Sequence, residues 1–170
     1  MRELLIEYDK IDQFDLNLAN ILVPDSDSKI FYLVLLLSRA VRSQHSCLPL
    51  ESIDKDDPFN LALTEYGKKQ SPFTSDDDFS ALLLAHDSVG EQQPLRLFAK
   101  HLYFARYDDY EREFVEAVKA RNALATDLDF TELANLLSRY FNDSGALDWQ
   151  KVACAVACLK RFCIISGGPG

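Results

Sequence analysis

The sequence predicts a mainly α-helical fold with one small β-hairpin, an α+β arrangement that is followed by the start of a second domain. Three observations support this prediction. Apolar residues recur every three or four positions through most of the chain, as they do on one face of a helix. In residues 94–105 successive side chains instead alternate between two faces, before and after a tight turn, which is a pattern typical of a hairpin. Residues 148–170 combine a short helix, a compact apolar run and a glycine-rich end.

Three helices are predicted before residue 43. Two short ones lie within residues 1–22, and Asp12 is the predicted N-cap of the second. The side chains expected to face the core from that second helix are Phe14, Leu18, Ile21 and Leu22. The third, from Lys29 to about Arg42, is the most apolar, so we expect it to be central and surrounded by the others.

Short secondary-structure elements are predicted in the middle of the chain. Residues 45–50 are expected to be extended, because Pro49 restricts the residue before it to β or polyproline geometry. Ser75-x-x-Asp78 is a capping-box pattern that opens a helix through residue 86. The aspartates at 76–78 are interpreted as solvated residues that match the helix dipole rather than as a metal site. This order of elements is compatible with a winged-helix-like arrangement.

Two further helices are predicted after the hairpin, whose strands lie in residues 94–98 and 102–105. The first begins near Tyr107, and its predicted inward-facing residues are Tyr110, Phe114, Val115 and Val118. Residues 122–127 form the predicted linker. Asp129-x-x-Glu132 opens the second helix, which is expected to end at residues 142–145.

Composition indicates an acidic globular protein, since 48% of the 170 residues are hydrophobic and the formal net charge is −9. That charge argues against a nucleic-acid-binding surface over the whole molecule. The N-terminus does not resemble a secretory signal. The longest apolar run, residues 30–37, is far shorter than the roughly 20 residues of a membrane span, so a cytoplasmic protein is expected.

The four cysteines of the chain, at 47, 154, 158 and 163, are interpreted as small buried hydrophobes in a reducing compartment rather than as metal ligands.

Residues 148–170 contain the most specific pattern of the chain. Asp148 is the predicted N-cap of a helix whose last turn includes Lys160 and Arg161. The apolar run at 162–165 is typical of a strand buried on both faces, and it leads into Gly167-Gly168-Pro169-Gly170. Phosphate-binding loops begin in this way, because their backbone N–H groups must face the phosphates without side chains between. The complete pattern continues to Lys-Ser/Thr, which these 170 residues do not include.

The string D-W-Q-K-V-A at 148–153, with A-V-A at 155–157 and I-I-S-G-G-P-G at 164–170, resembles the RecD family. This family provides the α subunit of the RecBCD exonuclease V complex and belongs to the superfamily 1 DNA helicases. Shorter similarities occur upstream, at L-L-L-S in 35–38, at H-x-C-L-P-L in 45–50, and at Leu102-Tyr103 with Arg106. In the family the glycine-rich segment continues as T-G-K-T and completes the Walker A loop.

The resemblance implies roles for individual residues. Gln150 matches the glutamine that reads the adenine edge of ATP, and its amide offers the donor and the acceptor this needs; the alternative is a solvent-exposed polar residue. Gly167 matches the first Walker glycine. The other matching positions, also counted as cofactor-binding, are Gly168, Pro169 and Gly170. Trp149 is interpreted as a packing anchor, and neither a catalytic residue nor a metal ligand is predicted.

The resemblance also implies what the chain is part of. It is expected to be the N-terminal fragment of an ATP-dependent 5′→3′ DNA helicase subunit of exodeoxyribonuclease V, which serves double-strand-break repair and recombination. Residues 1–123 would be a docking domain, 124–147 a connecting helix, and 148–170 the incomplete start of the ATPase domain. ATP and Mg²⁺ would belong to the parent protein, and the fragment alone is expected to be inactive and to bind neither. The implied partners are RecC-like and RecB-like subunits, with DNA bound through the complex and no membrane.

Three functional hypotheses remain open from the sequence. A docking domain predicts an exposed apolar patch rimmed by polar residues. A winged-helix-like nucleic-acid-binding module requires basic residues to converge near the hairpin, namely Lys100, His101 and Arg106, with Lys68 and Lys69. A self-standing nucleotide-binding enzyme is disfavoured, because the phosphate-contacting lysine is missing. If the chain is a fragment, residues 162–166 lack a sheet and are expected to be irregular or to be held by a neighbouring molecule.

Overall fold

A computed structural model describes residues 1–122, 129–141, 145 and 147–167. The helices are α1 (Arg2–Glu7), α2 (Gln13–Leu22), α3 (Lys29–Arg42), α4 (Phe79–Leu84), α5 (Ala105–Asn122), α6 (Phe130–Tyr140) and α7 (Trp149–Leu159). The strands are β1 (Leu48–Pro49), β2 (Leu95–Phe98) and β3 (His101–Phe104), and short 3₁₀ helices lie at Leu50–Ser52 and Leu61–Leu63. The predicted mainly α-helical fold with a small β part is confirmed.

The chain divides into two compact units, residues 1–111 and 112–170. The first contains α1 to α4 and all three strands, and the second contains α6 and α7. Within the described residues, no helix is both long and apolar enough to cross a membrane.

Helix α3 is the centre of the first unit, as the sequence predicts. Every residue from 30 to 38 is buried, so the helix is covered on all sides by the elements around it. Ser28 caps its first turn, where the side-chain oxygen accepts a hydrogen bond from the backbone N–H of Ile30. Arg39 and Arg42 lie in its last turn, where the helix dipole favours cations.

The rotation of α2 about its axis differs from the predicted one. Asp12 caps this helix as expected, in a capping box that it completes with Asp15. The buried side of α2, however, carries Asp15, Leu16 and Ala19. Phe14 and Ile21, which were predicted to face the core, are exposed. The prediction of the inward face was therefore wrong for Phe14 and Ile21, whereas Leu22 is half-buried and packs against the core. The reason lies in the contacts between α2 and α3.

The hairpin forms a three-stranded antiparallel sheet with β1, in the order β1-β3-β2. Its turn consists of Ala99 and Lys100 alone, with φ angles of 46° and 64°, as in the type I′ turns that match the twist of paired strands. His101, which was predicted in the turn, is the first residue of β3. The winged-helix-like arrangement stays a prediction.

Helix α4 begins at a different cap from the predicted one. Asp78 is itself the N-cap, and its carboxylate accepts hydrogen bonds from the backbone N–H groups of Ser80 and Ala81. The predicted capping box from Ser75 is therefore wrong, and the helix ends at Leu84 rather than near residue 86. A side chain can reach N–H groups only two or three positions on, so Ser75 is too far from this first turn.

Helix α5 follows β3 directly in the chain, and an ion pair connects it to the sheet. Its first turn is tied to β2 by Arg96, whose guanidinium donates a hydrogen bond to the carboxylate of Asp108 at 2.9 Å. Among the residues predicted to face inward, Tyr110, Phe114 and Val115 are instead exposed, so that prediction was wrong. Helical spacing identifies an apolar stripe, but whether anything covers the stripe depends on neighbouring elements.

The second unit contains α6 packed on α7. The predicted caps are confirmed, since Asp129 and Asp148 each accept hydrogen bonds from two backbone N–H groups of their helix. Helix α7 ends at Leu159, so Lys160 and Arg161 do not belong to its last turn as predicted. Residues 160–167 are irregular, as was expected for 162–166, and the apolar run at 162–165 forms no strand. The predicted linker lies almost entirely outside the described residues, as does most of the predicted end of α6.

Candidate functional site

The first candidate site is an exposed apolar stripe on α2, formed by Phe14, Leu18 and Ile21, which we call the α2 stripe. These residues occupy positions i, i+4 and i+7, which place them on one face of a helix. Phe14 is 62% exposed and Ile21 is 75% exposed, and Leu18 is half-buried. Contiguous exposed apolar surface of this kind is typical of protein interaction sites.

A buried carboxylate explains why the α2 stripe faces outward. Asp15 is fully buried on the opposite side of the helix. It accepts hydrogen bonds from Ser38 Oγ at 2.5 Å and from Arg42 Nε at 3.0 Å and Nη2 at 2.6 Å, both on α3. A buried charge is stable only where it is paired and hydrogen-bonded, so Asp15 must face α3. With that side fixed, the stripe on the other side of α2 is left exposed.

The polar side chains beside the α2 stripe are amides rather than ions. Gln13, Asn17 and Asn20 are all exposed. Gln13 Nε2 donates a hydrogen bond to Asn17 Oδ1 at 2.9 Å along the helix surface. The stripe is therefore bordered on its own helix by groups that can both donate and accept hydrogen bonds.

The second candidate site is an open groove of about 470 Å³ in the second unit, which we call the α7 groove. It is lined by Trp149, Gln150, Val152, Ala153 and Val156 from α7, and by Ile164, Ile165 and Ser166 from the segment that follows. The structure thus brings Gln150 next to the residues that lead to Gly167. Apolar walls with one amide suit a flat, largely apolar ligand with a hydrogen-bonding edge.

The predicted nucleotide-binding residues are placed only in part. Gln150 is exposed and lines the α7 groove. Gly167 is irregular and exposed, and a Cβ atom there would meet nothing within 4 Å. The remaining predicted residues, Gly168 to Gly170, lie outside the described part of the chain. A nucleotide-binding role for these residues therefore stays a prediction.

Two expectations about side chains in the second unit were wrong. Trp149, predicted to be a packing anchor, is 71% exposed on the wall of the α7 groove. Cys154 and Cys158 were predicted to be buried, but both are exposed. No side chain of α7 is fully buried, so an apolar helix pattern here does not correspond to a closed core.

A third concave region, of about 320 Å³, lies in the first unit between the acidic residues 76–78 and the hairpin turn. Lys55 Nζ closes part of it by donating to the backbone carbonyls of Ser75 and Asp77 at 2.8 Å and 2.7 Å. Lys29 Nζ lies 2.5 Å from the carboxylate of Asp77. Among the described residues, no group of three His, Cys, Asp or Glu side chains is arranged to hold a metal ion. Asp78 caps α4 and Asp77 pairs with Lys29, while Asp76 accepts a hydrogen bond from the hydroxyl of Ser75 at 3.2 Å.

The basic residues of the nucleic-acid hypothesis are engaged in local contacts. Lys100 Nζ lies 2.6 Å from Glu51 Oε1, and this hydrogen bond raises the pKa of Lys100 and lowers the pKa of Glu51. Arg106 Nε donates to the hydroxyl of Tyr110 at 2.7 Å. Lys69 lies within 4.0 Å of two aspartates, at 54 and 56. Because acidic partners offset two of these cations, the arrangement does not favour phosphate binding.

Comparison with known proteins decides the family. Residues 7–103 match the family described as "RecBCD enzyme subunit RecD, N-terminal domain". The chain belongs to this family. The prediction from sequence is confirmed, and the matched range includes α2, α3, all of the sheet except the last residue of β3, and the upstream similarities at 35–38 and 45–50. Residues 148–170, which carry the most specific similarity, lie outside the range matched to the RecD N-terminal domain.

Similarity to a RecD protein supports the same family assignment. Over 102 residues the chain is 33% identical to "RecBCD enzyme subunit RecD" of Haemophilus influenzae (strain ATCC 51907 / DSM 11121 / KW20 / Rd). The alignment covers 55% of this chain and 16% of that RecD protein. The similarity therefore concerns one small part of the relative.

Sequence reasoning missed the α2 stripe as a surface feature. Its residues were recognised as one apolar face, but that face was assigned to the core. Asp15 is the one charged residue within α2, and a charged side chain ordinarily marks the solvent side of a helix, so the local sequence favoured the opposite face. The contacts of Asp15 with Ser38 and Arg42 on α3, which are remote in sequence, show that this carboxylate is buried and paired.

Proposed function

We propose that this chain is the subunit-docking region of a RecD-like subunit in a RecBCD-type helicase–nuclease, exodeoxyribonuclease V, and that the first unit carries the docking role. The observation that carries this proposal is the exposed α2 stripe within the range matched to the RecD N-terminal domain. A domain of this family that leaves large apolar side chains in water is suited to bind another protein.

Charge supports a protein partner over nucleic acid. The chain has a formal net charge of −9, and phosphate backbones repel such a surface unless cations are gathered in one place. Lys100 and Lys69 are instead close to acidic side chains. The winged-helix-like nucleic-acid-binding module is therefore the weaker alternative.

The docking role is tested by measuring the affinity of the 170-residue chain for an isolated RecC-like subunit and, separately, for a RecB-like subunit. We expect a complex with the RecC-like subunit at micromolar concentrations or below, because an apolar contact with shape complementarity reaches that range. Fluorescence anisotropy with duplex DNA is the control, with no binding expected at the same concentrations. Absence of a protein complex, or strong DNA binding that weakens with salt, would contradict the proposal.

For the parent protein we propose an ATP-dependent 5′→3′ DNA helicase activity, with the α7 groove as part of its adenine site. The resemblance of residues 148–170 supports this, together with the position of Gln150 opposite the segment that leads to Gly167. In this proposal Gln150 would pair with the adenine edge, and the glycine-rich segment would hold the phosphates with Mg²⁺. In this proposal the role of these residues is binding and orientation.

The 170-residue chain alone is expected to show no measurable binding of ATP and Mg²⁺ by isothermal titration calorimetry. The reason is that an open groove with one amide lacks the cationic contacts that hold a triphosphate. A dissociation constant in the micromolar range would contradict this expectation. The matched variant Gln150→Ala would then show whether the α7 groove is responsible for the affinity.

A further inference from the structure

We infer that the α2 stripe is the centre of the docking interface, and that it is covered by an apolar, uncharged surface of the partner subunit bordered by basic groups. This inference rests on the proposed docking function and adds which face binds and what chemistry it binds. It follows from the charge distribution on α2, from the way α2 is held, and from the charges at its two ends.

The exposed face of α2 is uncharged in a strongly charged protein. The chain has 18 Lys and Arg and 27 Asp and Glu among 170 residues, so a surface helix of this length ordinarily carries several charges on its outer side. Within α2, which the structure describes completely, Asp15 is the one charged residue, and it is buried. Depletion of charge in the centre of a patch, with aromatic and large aliphatic residues in it, is typical of interface cores.

The stripe is presented by a helix that cannot easily turn. Arg42 contacts Asp15 in bidentate fashion and also lies 3.3 Å from Asp12, the N-cap of α2. Bidentate guanidinium–carboxylate contacts fix orientation as well as distance. The side chains of Phe14 and Ile21 are therefore held outward before any partner binds, which lowers the entropic cost of association.

The ends of α2 indicate the charge of the partner. Asp25 and Asp27 follow the helix and are exposed. At its start, the exposed Asp9 and Asp12 are offset by Lys10 and by the contact of Asp12 with Arg42. The acidic character is therefore strongest at the C-terminal end of α2. Binding of a second copy of the chain is disfavoured, because acidic residues of both copies would come close to one another. The two molecules, which each carry a net charge of −9, would also repel each other. The anionic surface of a membrane is disfavoured for the same reason. A protein with an apolar centre and a basic border is the occupant that matches both features.

The other exposed large apolar residues of the first unit each lie on a different element. Leu63 is 84% exposed at the end of a 3₁₀ helix, and Leu84 is exposed at the end of α4. Scattered apolar side chains are normal on protein surfaces and do not by themselves indicate an interface. Leu63 therefore offers a matched control for the α2 stripe, since it is large, apolar and even more exposed.

The test compares variants of the 170-residue chain for affinity to the RecC-like subunit by isothermal titration calorimetry. The double variant Phe14→Asp/Ile21→Asp is expected to bind about 100-fold more weakly, because two hot-spot side chains are replaced by charges in an apolar contact. Leu63→Asp is expected to stay within about twofold of the unmodified chain. Asp25→Asn/Asp27→Asn is expected to slow association and to reduce its dependence on salt, because rim charges act mainly on the on-rate.

Circular dichroism and thermal unfolding check that the variants are folded, and Phe14→Ala and Ile21→Ala provide milder replacements if the aspartates disturb α2. Unchanged affinity of the double variant, in a chain that does bind the RecC-like subunit, overturns the α2 stripe as the interface and leaves the docking function intact. Failure of the unmodified chain to bind overturns both. Analytical ultracentrifugation that shows a dimer dissociated by the double variant would identify a second copy as the occupant and overturn the inference.

Discussion

Phe31→Ala is expected to lower the free energy of unfolding of the first unit by about 3–5 kcal/mol, the usual cost of removing a buried aromatic side chain. Phe31 is fully buried in the first turn of α3 and packs edge-on against Tyr32, with ring centroids 5.7 Å apart. Such a loss is a large part of the roughly 5–15 kcal/mol that stabilises a typical domain. Chemical denaturation followed by far-ultraviolet circular dichroism measures it.

The matched control for this substitution is Phe14→Ala. The same atoms are removed, but Phe14 is 62% exposed on the α2 stripe, so the expected change in unfolding free energy is below about 0.5 kcal/mol. Similar losses for Phe31 and Phe14 would show that the assignment of the core is wrong. A loss below about 1 kcal/mol for Phe31 would contradict the central position of α3.

Asp15→Ala is expected to lower the free energy of unfolding by about 3 kcal/mol, because it leaves buried hydrogen-bond donors without their acceptor. The hydroxyl of Ser38 is buried and would lose its partner, as would two nitrogens of Arg42. The side chain of Arg42 is 40% exposed and can regain contact with water, which keeps the cost below that of breaking a fully buried pair. Denaturant unfolding measures the change.

The control for Asp15 is Asp25→Ala, an exposed aspartate just beyond the same helix, for which a change below about 0.5 kcal/mol is expected. A double-mutant cycle with Arg42→Ala then separates the pair from its surroundings. The double variant is expected to be less destabilised than the sum of the two single variants. Strict additivity would mean that Asp15 and Arg42 do not act as a pair, and the contact between them could then not explain the orientation of α2.

Features that depend on nearby residues were predicted well. Asp12, Asp129 and Asp148 all cap their helices as expected. A cap joins a side chain to N–H groups two or three positions on, so the whole interaction lies within a few residues of sequence. The hairpin at residues 95–104 follows from alternation and a short turn in the same way. At Ser75 the local pattern was misleading, because Asp78 three positions on is itself the N-cap of α4.

The candidate sites were predicted to different extents. Gln150 and Gly167 were named from the resemblance, and the structure adds that Gln150 shares the α7 groove with the residues just before Gly167. The α2 stripe was recognised as apolar but assigned to the wrong side. The exposure of Trp149 was missed, because an apolar stripe on α7 does not reveal how little of it is covered.

The sequence by itself determined the family, the mainly helical class, the central position of α3 and most helix caps, because each of these depends on composition, periodicity or contacts between near neighbours. The tertiary structure alone decided which face of each helix is buried. Asp15 and Arg42 are 27 positions apart in sequence, yet their contact holds one side of α2 against α3 and leaves the α2 stripe outside. A periodic pattern identifies two sides of a helix, and long-range packing of a charge chooses between them.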